Sequence, residues 1–125
     1  MLRLLMIVSG AFEALFGLSA LLAPGQLIAA LETESNEAAV FLARILGAAT
    51  LGIGVAALLA RDQVESKGGL AAAYGLALYN VLAAALILWT VAVIGLGDAA
   101  LWGAGLFHAA IGLLFVYALA VARRR

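Results

Sequence analysis

Of the 125 residues in this chain, 67% are hydrophobic and only 11% are charged, far from the ~45–50% apolar and ~25% charged make-up of soluble domains. The formal net charge is zero and there is no cysteine, which excludes a disulfide framework, a thiolate metal site and a Cys nucleophile. Basic residues outside the apolar stretches are Arg3, Arg61, Lys67, Arg123, Arg124 and Arg125; with the last three read as a membrane anchor, no patch remains for nucleic acid.

A first membrane span is predicted over about residues 4–23, ending at the breaker pair Pro24-Gly25. Cleavage after a signal peptide at residues 1–23 is the alternative, weakly suggested by Ala20-Leu21-Leu22-Ala23. Glu13, in the middle of the apolar region, argues against it. Residues 26–31 are too short to cross and predict a short interfacial piece of helix. Glu32-Thr33-Glu34-Ser35-Asn36-Glu37 is the clearest loop. Ser35 or Asn36 is placed to cap the next helix, with Glu37 in its first turn. The second span covers about 38–60, and a polar connector runs from Arg61 to Gly69. The third covers about 70–94, Gly95-Leu96-Gly97-Asp98 turns the chain, and the fourth covers about 99–122.

Each stretch reaches the ~20 residues that a helix needs to cross ~30 Å of hydrocarbon. Short connectors favour antiparallel neighbours. The expected fold is all-α: one integral membrane domain over residues 1–125, built as a transmembrane four-helix up-down-up-down bundle. All Lys and Arg outside the spans lie at the N-terminus, in the second connector or at the C-terminus. The positive-inside rule then places both termini in the cytoplasm, in a multi-pass protein of the inner (plasma) membrane.

Glu13, Arg44, Asn80 and His108 interrupt the four spans, one in each. A charge at the bilayer centre costs roughly 2.5–3.5 kcal/mol on insertion scales, so such residues turn inward and find partners. From the helical rise, Glu13 lies roughly 15 Å below the outer end of its span, Arg44 roughly 9–10 Å and His108 roughly 13–14 Å, with Asn80 near mid-span. The four are expected to meet in one layer, the long arginine side chain making up the difference in depth. Gly10 and Gly17 share a face with Glu13, Gly105 and Gly112 with His108, and Gly47 with Arg44. Such small residues let another backbone approach. Ala48, Gly52, Ala56 and Ala60 form a further small stripe at spacing four, which suggests a homodimer.

A Glu13–Arg44 ion pair reads either as a register lock or as a functional contact. Asn80 reads as interhelical hydrogen-bond glue. His108 is the only histidine, too few for bis-His haem or a metal centre, so no cofactor and no metal are expected. A bond from His108 to Glu13 or Asn80 is. Phe12, Phe16, Phe41, Phe107 and Tyr79 lie near the layer, either as ordinary packing or as the walls of an apolar pocket. Trp89 and Trp102 flank the outer turn as belt residues. The octets at Gly10–Gly17 and Gly105–Gly112 match at Gly, Phe, Ala and Gly, a likeness that small-residue packing explains.

The first span ending in Ala23-Pro24-Gly25, Leu42-Ala43-Arg44-Ile45-Leu46-Gly47 opening the second, Asn80-Val81-Leu82-Ala83-Ala84 in the third and Phe107-His108 in the fourth resemble the small bacterial four-helix membrane proteins of the DoxX-like and related groups. That resemblance implies a helical bundle and no agreed activity, and it carries over no catalytic residue. The expected function is a non-enzymatic membrane protein: a scaffold, an accessory subunit, or a binder of a lipid or other hydrophobic small molecule. One alternative is a small oligomeric channel or transporter using the layer as an ion or proton relay. A second is an intramembrane enzyme with His108 and Glu13 as acid and base on a lipid-like substrate.

Overall fold

The computed structural model describes residues 1–122; the arginines at 123–125, expected to anchor the C-terminus, lie outside the described residues. The elements are α1 (Leu2–Leu22), α2 (Pro24–Ala30), α3 (Glu37–Ala60), α4 (Lys67–Trp89) and α5 (Ala99–Ala122), with α4 running on through a π-helical turn, Thr90–Ile94. Four helices, α4 being counted together with its π turn, are long and apolar enough to cross a membrane. The chain is thus all-helical among the described residues and has the make-up of a multi-pass membrane protein.

Polar side chains set the boundaries. Pro24 opens α2 at the one position where its missing N–H is no loss. Of the two candidate caps for α3 it is Asn36 that serves: its Oδ1 accepts from the Ala39 N–H at 2.9 Å. Ser66 caps α4 by accepting from the Gly69 N–H at 3.0 Å, so Lys67, Gly68 and Gly69 join the helix ahead of the apolar run. The π turn closes on Gly95 in the left-handed region, φ +75°, which glycine adopts without a Cβ penalty. Asp98 then starts α5, its Oδ1 accepting from the N–H groups of Ala100 (2.9 Å) and Leu101 (3.1 Å). The Asp98 N–H donates to the Ala30 carbonyl at 3.2 Å. That bond ties the end of α2 to the turn between α4 and α5.

Two close pairings dominate: α1 on α3, and α4 on α5. In the first, Gly10 lies against Gly54 and Ala57 while Gly17 lies against Gly47 and Leu51, so the helices run antiparallel. A Cβ at Gly54 would sit 2.6 Å from the Gly10 carbonyl oxygen, and one at Gly47 2.8 Å from that of Gly17. The two backbones touch, which in lipid is where van der Waals attraction is strongest. In the second pair Gly105 meets the side chains of Leu88 and Ile87, and Gly112 meets both the side chain and the backbone nitrogen of Val81. Met6, Ala73, Leu76, Phe115 and Leu119 fill the core between the pairs, toward the end where Arg3 bonds Asp62 at 2.7 Å.

The stripe of Ala48, Gly52 and Ala56 takes no part in the α1–α3 contact. These residues are exposed, and a Cβ at Gly52 would meet nothing within 4 Å. The residues that do the packing, Gly47, Gly54 and Ala57, occupy the neighbouring face of the same helix. Elsewhere the surface is largely hydrocarbon, with Leu15, Leu59 and Leu113 among many exposed apolar side chains. Lipid tails are a solvent for such a surface and water is not.

Candidate functional site

Glu13, Asn80 and His108 come together where α1, α4 and α5 meet, and Ser9 joins them. Asn80 is the hub. Its Nδ2 donates to the Leu76 carbonyl at 2.9 Å and to Ser9 Oγ at 3.2 Å. Its Oδ1 lies 2.9 Å from His108 Nδ1. Glu13 Oε1 lies 3.7 Å from the same nitrogen. Glu13, Ser9 and Asn80 are wholly buried and His108 is nearly so. Neither carboxylate oxygen of Glu13 has a hydrogen-bond partner among the described residues. Tyr79 is near enough to interact with that carboxylate but does not meet hydrogen-bond geometry with it.

Arg44 does not join the layer. It is exposed on α3, in a shallow recess lined by Ser35, Asn36, Glu37, Val40 and Phe41, and no Glu13–Arg44 ion pair exists among the described residues. Ala43 and Gly47 hold the inward face in its place. The helical rise located Arg44 along the helix but said nothing of the direction in which it faces. Phe41 follows Arg44 outward and is 63% exposed, so it walls no pocket with the others.

Two polar residues escaped the sequence reading. Ser9 lies one turn before Glu13 on the same face, so its spacing carried the signal. Thr50, also fully buried, donates from Oγ1 to the carbonyls of Leu46 (3.0 Å) and Gly47 (3.2 Å) on its own helix. It satisfies itself locally and stands apart from the cluster.

The aromatic residues gather on one side of the cluster. The rings of Phe12 and Phe107 lie 4.2 Å apart between centroids. His108 meets Phe12 and Tyr79 edge to face, at 5.7 and 5.6 Å. Beside them opens a cavity of about 400 Å³. Tyr79 and His108 bring its polar groups, beside the rings of Phe12 and Phe16, and Leu82, Leu86 and Ala104 are among its aliphatic walls. Leu27 and Leu31 line it from α2 and the turn that follows. The short segment too small to cross the membrane therefore has a definite position, as one wall of a chamber that no local sequence signal reveals.

No family model, curated protein or solved structure matches the chain. What the arrangement offers chemically is an apolar chamber with an imidazole and a phenol at one end and a buried carboxylate behind them. A long apolar molecule with one polar end matches that gradient.

Proposed function

We propose that this chain is a non-enzymatic binder of a lipid or other hydrophobic small molecule. We place it in the inner (plasma) membrane, as an up-down-up-down bundle with both termini cytoplasmic. The observation that carries this reading is the apolar cavity abutting the Asn80–His108–Glu13 cluster. Its volume of about 400 Å³ falls within the ~300–1,000 Å³ typical of small-molecule sites, which pair apolar walls with a few placed polar groups. A buried polar cluster inside a membrane protein is also where function concentrates.

Native mass spectrometry of the protein released from its own membrane tests the binding. The expected spectrum contains an adduct of small-molecule mass that survives release. Ala104→Phe, which fills the chamber from its wall, should abolish that adduct while leaving the protein folded. An adduct that persists in Ala104→Phe would place the ligand elsewhere, and no adduct in either protein would count against binding altogether. The same spectra count subunits, for which the exposed Ala48, Gly52 and Ala56 stripe makes a homodimer the expected result.

Orientation has a separate test, made clean by the absence of native cysteine. Glu34→Cys, in the connector without Lys or Arg, should react with a membrane-impermeant maleimide in intact cells. Glu65→Cys, beside Arg61 and Lys67, should react only after lysis. The reverse pattern would invert the topology.

A further inference from the structure

The hydrogen-bond pattern around His108 specifies which ring nitrogen carries the hydrogen and which is left to accept. The Leu76 carbonyl can only accept, so the nitrogen of the Asn80 amide must face it. That leaves Asn80 Oδ1 turned toward His108 Nδ1 at 2.9 Å. Oδ1 also only accepts, so Nδ1 carries the hydrogen. In the neutral ring Nε2 is then a bare acceptor. It makes no hydrogen bond within the described residues, and His108 lines the cavity.

No side chain among the described residues donates to it: Ser9 and Tyr79 carry the remaining hydroxyl hydrogens of the cluster, and no hydrogen bond joins either to Nε2. Both donors of Asn80 are engaged, by Ser9 and Leu76. Glu13 behind the ring contributes two more oxygens without partners. The Tyr79 phenol lies near Glu13 without hydrogen-bond geometry to it, and the remaining walls are hydrocarbon and aromatic ring. The polar end of the chamber thus holds acceptors in excess of donors, in surroundings where an unmet hydrogen bond is expensive.

Resting on the reading of this cavity as a binding site, we infer that its ligand is an elongated apolar alcohol, whose single terminal hydroxyl donates to His108 Nε2. An ether, ester or ketone of the same length would fill the chamber and leave Nε2 unmet.

The test uses the whole protein in lipid nanodiscs. One probe is a long-chain primary alcohol carrying a mid-chain diazirine; the other is its methyl ether, identical except for the missing donor. The alcohol should label peptides of the cavity wall, such as the one containing Leu82 and Leu86, about tenfold more than the ether, the size of effect that one buried hydrogen bond supports. His108→Asn keeps a donor at the δ position for Asn80 and removes the ε acceptor, so it should label equally with both probes. His108→Gln returns an amide oxygen near the ε position and should recover part of the preference.

Because His108 is the sole histidine, its ¹⁵N spectrum in the unmodified protein gives an independent readout. It should show a protonated Nδ1 and an unprotonated Nε2, with Nε2 moving upfield when the alcohol is added. Equal labelling by alcohol and ether, with Nε2 unmoved, would overturn the donor assignment while leaving the cavity a binding site. Preferential labelling by the ether would overturn it too, since Nε2 would then bear a hydrogen. Labelling of the cavity peptides by neither probe would remove the binding reading itself.

Discussion

Replacing Gly17 by leucine should be among the most damaging single substitutions in the chain. Even a bare Cβ there would lie 2.6 Å from the Gly47 carbonyl oxygen and 2.8 Å from the Leu51 Cα. Both are backbone atoms of α3, which cannot swing aside as a flexible side chain can. Forcing extra carbon into a close-packed contact costs about 1–3 kcal/mol, and here the whole α1–α3 interface must part. Separation also forfeits the dispersion contacts that hold helices together in lipid, where no hydrophobic force pushes them back. The measurement is reversible unfolding in mixed micelles, with Gly52→Ala as the control. Gly52 has open space around it, so that change should stay within ~0.5 kcal/mol of the parent. Equal stability of Gly17→Leu and Gly52→Ala would mean that α1 and α3 do not touch as described.

Glu13→Gln should make the protein more stable, by about 1–3 kcal/mol, the cost of leaving a buried polar group without a partner. The substitution conserves volume, removes the charge, and replaces one of the two orphan oxygens with an N–H donor beside Tyr79. A Glu13–Arg44 lock would give the opposite sign, since breaking a buried ion pair costs about 3–5 kcal/mol. Arg44→Gln should be nearly silent, because Arg44 is exposed and Glu13 lies elsewhere. The same unfolding assay on both single variants and the double variant decides the matter. Large, similar losses in the singles that fail to add in the double would restore the ion pair. A stabilising change at the centre of a site is also what a functional group retained at a cost in stability would produce.

Glu13, Asn80 and His108 were legible because each is a polar residue in a long apolar run, and each had to find company away from lipid. Asn80 also had to sit deep, since its spacing puts it near mid-span. Ser9 was overlooked although it lies one turn from Glu13, because a serine within a membrane helix can bond its own backbone and so draws little notice. The cavity was harder still. Phe12, Phe16 and Tyr79 come from two helices, and Leu27 on a seven-residue helix adds a further wall. No single stretch of sequence contains that set of walls.

Hydropathy and length give four candidate crossings, their approximate ends and the polar residues that interrupt them, because moving a charge or a run of leucines between lipid and water involves energies that local composition alone specifies. The direction each residue faces around its helix is another matter. In a soluble helix the polar face shows where the water is; in these helices the lipid side and the protein side are equally apolar, so that contrast disappears. Arg44 and Ala43 are neighbours in the chain, yet the arginine is outside and the alanine is buried. What separates them is which face of α3 lets its backbone meet α1 at Gly47 and Gly54, and that is a property of two helices together.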